Sequence, residues 1–595
     1  MARGRVGPSR AKILGFPAMS PLSILCGSAL ACIAMFSIIC GRLLDLNYGD
    51  LQNRLGPPPF PFPGHISITT LEEVSGSLSN ELQDLQDVPA KGDSTVKNVW
   101  YSKSAELYHG CSAASDAYAP LSDIVENGYV AIQASGGLNQ QRTGITDSVA
   151  VARILNATLI IPELDHASFW NDNSNFEDIF DVGHFISVLA PDVRVVKEVP
   201  LDVQKSSPAI RMRVPRKSPP QYYENKVLQK LLSKHVVQLT KFDYRLSNKL
   251  EEDLQKLRCR VNYDALRFTH PIARMGQLLV ERMRKSGRYI ALHLRFEPDM
   301  LAFTGCYYGG GPKEIEELGE IRKRWKTLNA PDPERARRNG KCPLSPLEVG
   351  LLLRASGFDD DTHLYVASGE VYGGEESLAP LRALFPNFYT KESLSFANEL
   401  KPFQNYSSRM AAIDYIVCDE SDVFVANNNG NMARILAGHR RFNGHKRTIR
   451  PNAKKLAPLF LTRNEYTWEQ FAEKIRHAQK GFMGDPYEGV PGKGDFHENP
   501  AACICNSEGR SLVELAQDPK QSVKQEENTT GKAVDIKWPE LEEDLDASEN
   551  VKVDSEDTVH TGSIGEEVLD SVREDAKLEA KLEEVEGDEN PLFLE

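Results

Sequence analysis

Residues 128–162 read GYVAIQASGGLNQQRTGITDSVAVARILNATLIIP, and their order predicts the fold. GYVAIQA (128–134) is a short apolar run of strand composition. The glycines of SGGLNQQ then give a turn. Behind the turn, Ile145, Val149, Ala152 and Leu155 recur at helical spacing. ATLIIP (157–162) is a second strand candidate. Strand, glycine turn, helix, strand is the pattern of a βαβ unit with a parallel sheet.

Working outward, a second series begins at RYIALHLRFEPDM (288–300). Helices are expected over 346–358, 376–385, 408–421 and 430–441, and strands over 362–371 and 422–428. Two βα series separated by a helical stretch predict an α/β protein with two Rossmann-like domains across a cleft. The expected domains span 111–285 and 286–510, the second closed by an amphipathic helix within 468–482. Residues 42–110, with GPPPFPFPG, read as a stem.

Composition narrows the function classes. The chain has 595 residues, 41% hydrophobic and 26% charged, which excludes a wholly disordered, collagen-like or polytopic membrane protein. From Leu541 to Glu595 there are 20 acidic and 4 basic side chains, a net of −16, which leaves +2 of the total −14 for the other 540 residues. The acidity therefore belongs to a tail, 511–595, with the composition of a disordered segment. No strongly basic surface points to nucleic acid.

Ile13 to Gly41 carries no charge over 29 residues, enough to span a bilayer. Arg3, Arg5, Arg10 and Lys12 precede it, so residues 1–12 are expected in the cytosol and the body in the lumen. Ala29-Leu30-Ala31 looks like a signal-peptidase site, but the apolar run continues beyond it, which favours an uncleaved signal-anchor. Seven cysteines follow the anchor without a CxxC pair, so no zinc site is expected and the disulfide connectivity is open. Asn156, Asn405 and Asn528 head glycosylation sequons.

Three stretches could carry chemistry. In Ile290–Glu297, strand alternation puts His293, Arg295 and Glu297 on one face, at the strand end where open α/β sheets place ligands. Arginine suits a phosphate because its planar fork donates two parallel hydrogen bonds; a buried Arg295–Glu297 pair would give the same pattern. In Ser135–Arg142, glycines and a following helix N-terminus suit an anion, as they suit an ordinary turn. Asp422–Asn431 runs from a strand through asparagines and Gly430 into a helix, with the same two readings. Asp165 and His166 follow a strand end and could supply an acid or base. Asp359–Asp361 formally matches a metal-binding Asp-x-Asp, but a solvated turn accounts for it. Tyr307–Gly311 fits a mobile lid or a plain loop.

Four blocks resemble the plant O-fucosyltransferase-like proteins: GGLNQQRTGITDSVAVARILNATLIIPELDHASFW, ALHLRFEPDMLAFTGCYYGGG, DVFVANNNGNMARILAGHRRF and GFMGDPYEGVPGKGDFHENPAACIC. The resemblance covers about residues 100–505, and not the anchor or the tail. It implies an inverting GT-B-like glycosyltransferase that needs no cofactor or metal and takes GDP-fucose mainly on the second domain. His293, Leu294 and Arg295 match a His-x-Arg motif whose arginine holds the departing diphosphate. Gly136, Gly137, Leu138, Asn139 and Gln140 match a Gly-x-x-Asn motif near the sugar. Asp299 is placed to help donor binding. Asp422, Asn429, Gly430 and Asn431 match the nucleotide-binding strand and phosphate loop. Here the sequence departs from the animal protein O-fucosyltransferases, which carry small hydroxyl residues in that turn, so only backbone N–H contacts carry over. Arg295, Asn139 and Glu297 are the expected catalytic residues, with Asp165 the other candidate base. The implied setting is a type II Golgi membrane protein acting on a protein or cell-wall glycan. The alternatives are a rhamnosyltransferase of pectin synthesis using a nucleotide-rhamnose, or a non-catalytic Golgi glycan-binding protein.

Overall fold

The computed structural model describes residues 85–517, less 86, 94–95, 97, 124, 167–171, 326–327, 428–429, 487 and 489–495. The expected anchor, most of the stem, Asn528 and the tail beyond 517 lie outside the described residues. Among those described, no helix is long and apolar enough to cross a membrane.

A short strand, β1 (Tyr108–Gly110), leads into the first of two five-stranded parallel sheets. Its strands are β2 (Tyr129–Ala134), β3 (Thr158–Ile160), β4 (Val195–Val196), β5 (Ile210–Met212) and β6 (Val236–Phe242), in the order β4-β3-β2-β6-β5. The second sheet contains β7 (Tyr289–His293), β8 (His363–Ala367), β9 (Phe388–Tyr389), β10 (Val423–Ala426) and β11 (Thr448–Ile449), in the order β11-β10-β7-β8-β9. In both sheets the first strand is central. The chain winds outward on one side, then crosses to the other. The direction therefore reverses between β2 and β6, and again between β7 and β10. Ligands of open α/β sheets bind at the carboxyl ends of strands beside such reversals.

Five helices set the site. α1 (Leu138–Ile154) follows β2, and α2 (His270–Lys285) leads into β7. α3 (Pro298–Thr304) follows β7, while α4 (Ser407–Glu420) and α5 (Asn431–Phe442) flank β10. α1 is buried from Leu138 through Ala152 on its polar as well as its apolar side, because residues 252–265 of the first lobe and α4 and α5 of the second pack against it. One apolar cluster accordingly runs from Val130 and Ile145 through Leu279 to Ile413 and Leu436. α2 lies close on α4: a Cβ at Gly276 would stand 2.7 Å from Ile416 Cδ1.

Two features differ from the sequence-based expectation, and a third favours one of two readings it left open. β7 ends at His293 and is buried throughout, so Arg295 and Glu297 leave the strand end on a loop and do not share a strand face with His293. Pro298 then starts α3. Residues 85–110 do not stand apart from the body. Arg463 pairs with Asp87, Gly92 N donates to Asp359 Oδ1 at 2.6 Å, and Trp100 packs edge-on to Phe358 at 5.2 Å. The Tyr307–Gly311 loop is pinned by Tyr308, whose OH donates to Pro343 O at 2.5 Å and whose N–H donates to Glu314 at 2.8 Å.

The end of the described chain returns to its start. β12 (Ile504–Asn506) pairs antiparallel with β1. Disulfides Cys111–Cys505 and Cys259–Cys503 fasten this hook, Cys306–Cys342 closes the loop after α3, and Cys418 is buried as a thiol.

Candidate active site

The carboxyl edges of the two sheets face one another, as three contacts show. Tyr244, just past β6, donates to Asn431 Oδ1 at 2.5 Å. Asp172, in the loop after β3, accepts from Ser408 N at the start of α4 at 2.7 Å. Arg409 Nε donates to Ser174 Oγ at 2.8 Å.

On the first lobe the glycine turn is built tightly. Gly136 has φ +86°, and a Cβ there would stand 2.2 Å from Gln140 Oε1. Gly136 N donates to Asp165 Oδ2 at 2.8 Å. Gln141 closes the arrangement by donating to Gly136 O and accepting from Asp165 N. Gly137 is the N-cap of α1, and Asn139 lies fully buried in its first turn. The structure thus brings Asp165, half-buried, onto the turn that carries Gly136, Gly137 and Asn139. His166 instead meets Ser174 O at 3.0 Å. Two expected substrate contacts are corrected. Leu138 is fully buried in the apolar core, and Gln140 gives its amide N–H to Asp243 at 2.8 Å.

On the second lobe the β7 end holds a buried ionic cluster. His293 is 5% exposed, and its pKa is pushed down to about 3 by burial and then by Arg295 and Lys391. It is therefore a neutral hydrogen-bonding group at physiological pH. Arg295 is 2% exposed. Its Nη1 donates to Glu297 Oε2 at 2.7 Å and its Nη2 to Asp299 Oδ2 at 3.0 Å. Burial opposes the Arg295 charge, but Glu297 and Asp299 hold its pKa raised. The Arg295–Glu297 pair that the sequence allowed is present, and Asp299 makes it an Arg–Glu–Asp trio. Glu297 also accepts from Gly369 N at 2.9 Å, so both its oxygens are engaged, which suits a strut better than a base. Leu294 lies with its side chain in the core of the second lobe. Lys391 donates to Ser368 O and Asp414, each at 2.8 Å, and Tyr365 donates to Asp414 at 2.6 Å. The sequence reading missed this buried support, since a lone lysine in KESLSF carries no pattern.

The turn after β10 meets the same edge. Asn427 is structural: it accepts from Leu344 N at 3.0 Å and donates to Leu344 O at 2.8 Å. Asn429 lies outside the described residues. Gly430 is the N-cap of α5 and Asn431 its first residue. Asp422 is a further correction. It precedes β10, and parallel pairing of Val423 with Ile290 and of Ala426 with His293 sets it at the opposite end of the sheet. There it accepts from Arg284 Nη1 at 2.5 Å and Tyr289 N at 2.9 Å. A four-residue strand separates it from the β7 end by about 13 Å. Asp359–Asp361 sit at the amino end of β8, engaged by Lys91 and Gly92. Asn156 and Asn405 are exposed.

A family described as GDP-fucose protein O-fucosyltransferase matches residues 129–443, which bracket both turns. O-fucosyltransferase 6 of Arabidopsis thaliana is 56% identical over 82% of this chain and 86% of its own. Rhamnogalacturonan I rhamnosyltransferase 1 of the same plant is 43% identical over 65% of this chain and 79% of its own. A crystal structure of POFUT1 in complex with GDP aligns over 55% of this chain and 98% of that one, at 15% identity and a TM-score of 0.33.

Proposed function

Because the chain belongs to the plant O-fucosyltransferase-like family and is thereby a glycosyltransferase, we propose that it transfers fucose from GDP-fucose, with inversion, to a hydroxyl of a protein or cell-wall glycan. One observation carries this reading: two glycine-bearing turns, each at a sheet's reversal point and each opening a helix, lie on facing edges within the matched segment.

Inversion takes one displacement at the anomeric carbon. The acceptor hydroxyl loses its proton to a base as the diphosphate departs. Asp165 is the base in this reading, since the Gly136 N–H fixes its position at the glycine turn. The departing charge is met by the N–H groups at the start of α5 and by Arg295. Asp299 takes the place on the Arg295 fork that a phosphate would bridge, so donor binding would exchange one anion for the other. The reaction in this reading proceeds without a metal. The charge-free run before the body anchors the enzyme as a type II protein of the Golgi membrane, with the described lobes in the lumen.

The likeness to a rhamnosyltransferase favours nucleotide-rhamnose as the second donor candidate. Purified enzyme offered GDP-fucose and nucleotide-rhamnoses with a plant cell-wall acceptor library decides between them, by release of nucleoside diphosphate. Acceptor-dependent release from GDP-fucose alone is expected, unchanged by a metal chelator. Release only from a rhamnose donor would replace the first reading with the second.

A further inference from the structure

A row of hydrogen bonds crosses three neighbouring strand ends, β7, β8 and β9, at the carboxyl edge of the second sheet. Lys391 follows β9 and is 6% exposed. Burial opposes its charge, but Asp414 on α4 accepts from Nζ at 2.8 Å and holds the pKa raised. The same Nζ donates to Ser368 O, just past β8, at 2.8 Å. Gly369 N donates to Glu297 Oε1 at 2.9 Å, and Glu297 Oε2 accepts from Arg295, past β7, at 2.7 Å. Ser368 O and Gly369 N belong to one peptide group, which is planar. A cation thus holds the oxygen of that plane while a carboxylate holds its N–H. The sheet does not supply these bonds: β8 ends at Ala367, and Gly369 is exposed.

We propose that Lys391 is a positioning residue that locks the Ser368–Gly369 peptide, so that Glu297 stays fixed on Arg295 and Asp299 is the carboxylate that yields to the donor diphosphate. This rests on the reading of Arg295 as the diphosphate ligand. Two carboxylates share the Arg295 fork, and they are not held equally. Glu297 has a second anchor in the Gly369 N–H. Asp299 meets the fork at 3.0 and 3.3 Å and makes no other bond among the described residues. An incoming phosphate therefore displaces Asp299 at the loss of fewer hydrogen bonds. Without the Lys391 ammonium the peptide is free to turn over. Such a flip carries the following residue toward positive φ, as between turns of types I and II, and glycine accepts this readily. The Ser368 carbonyl would then face the Glu297 carboxylate, which would lose its second anchor, and the arginine fork would lose its fixed plane.

Hydrogen exchange on the full chain, read by mass spectrometry, tests this together with steady-state rates. Although its residue is exposed, the Gly369 amide should exchange about ten- to hundredfold more slowly than an unbonded amide, and saturating GDP should leave that protection in place. Lys391→Met should abolish the protection and lower kcat about fivefold, with a smaller change in KM for GDP-fucose, because a displaced fork fails the departing charge more than the bound donor. Free exchange at Gly369 in the unaltered protein overturns the proposal. Loss of protection on adding GDP overturns it too, since Glu297 and not Asp299 would then be the group displaced. A Lys391→Met protein with lowered Tm but unchanged kcat marks a lysine that serves folding alone, the third overturning result. If Lys391→Met does not fold, exchange in the unaltered chain, free and with GDP, decides by itself. Should GDP not bind at all, the donor reading falls, and the Lys391→Met exchange still decides whether this lysine locks the peptide.

Discussion

At the residue scale, the Arg295 trio separates charge from geometry. Arg295→Lys keeps a cation between Glu297 and Asp299 but loses the fork, so kcat should fall by about two to three orders of magnitude with the fold retained. Arg295→Ala leaves the Glu297 and Asp299 carboxylates without their shared cation and should also destabilise the protein, by about 3–5 kcal/mol; thermal melts beside single-turnover rates separate the two effects. Glu297 and Asp165 are told apart by amide substitution. Asp165→Asn keeps an acceptor for Gly136 N but removes the base, so a loss of about 10²–10⁴ in kcat is expected. Glu297→Gln should cost less than about tenfold, and the reverse ranking would reinstate Glu297 as the base. The buried histidines set the acid limit. His293 and His445 are each pushed from 6.5 down to about 3, chiefly by burial. Below pH 6.5 the unfolded chain binds more protons than the folded one. The stability held by the neutral rings is therefore complete above pH 6.5 and is lost as pH falls toward 3, at up to about 1.4 kcal/mol per pH unit for each ring. His445 lies away from the site, and Asn tolerates its φ of +53°. His445→Asn should flatten the fall of Tm between pH 6.5 and 4 relative to the unaltered protein.

At the element scale, α1 decides how the lobes meet. Its polar residues face a neighbour rather than water. Arg142 lies 4.3 Å over the ring of Tyr415 on α4, and Asp147 pairs with Arg258. Gly144 allows α1 to touch the end of β6, where a Cβ would stand 2.2 Å from Phe242 O. Because the obstacle is backbone, Gly144→Ala should cost about 1–3 kcal/mol, read by denaturant titration. The periodicity of α1 was legible from Ile145, Val149, Ala152 and Leu155, all now in the core or packed on it. Its burial on the polar side was not, because residues distant in sequence, 252–265 and the second lobe, supply the cover, and hydrophobic spacing reports only the apolar face.

At the scale of the whole molecule, the chain is closed on itself. β1 and β12 join through three pairs, and Cys111–Cys505 and Cys259–Cys503 bind the hook to the first lobe. The described residues between 85 and 107 meet the second lobe at the amino end of its sheet, with Arg447 donating to Tyr101 O at 2.9 Å. Replacing Cys111 and Cys505 by Ser should lower stability by about 2–5 kcal/mol, read by calorimetry, while kcat at 25 °C is retained. Loss of activity with an unchanged Tm would mean that the hook serves the site directly.

The sequence alone determined the two βα series, the glycine turns and the residues that open α1 and α5, because period, turn chemistry and helix starts are local properties. Only the tertiary structure decided that Arg295 is shared by two carboxylates, that Asp422 belongs to the far edge of its sheet, and that Tyr244 reaches Asn431. Each of these depends on which strand ends at which edge and which lobe it faces, and residues far apart in the chain acquire those relations only when the sheets pack.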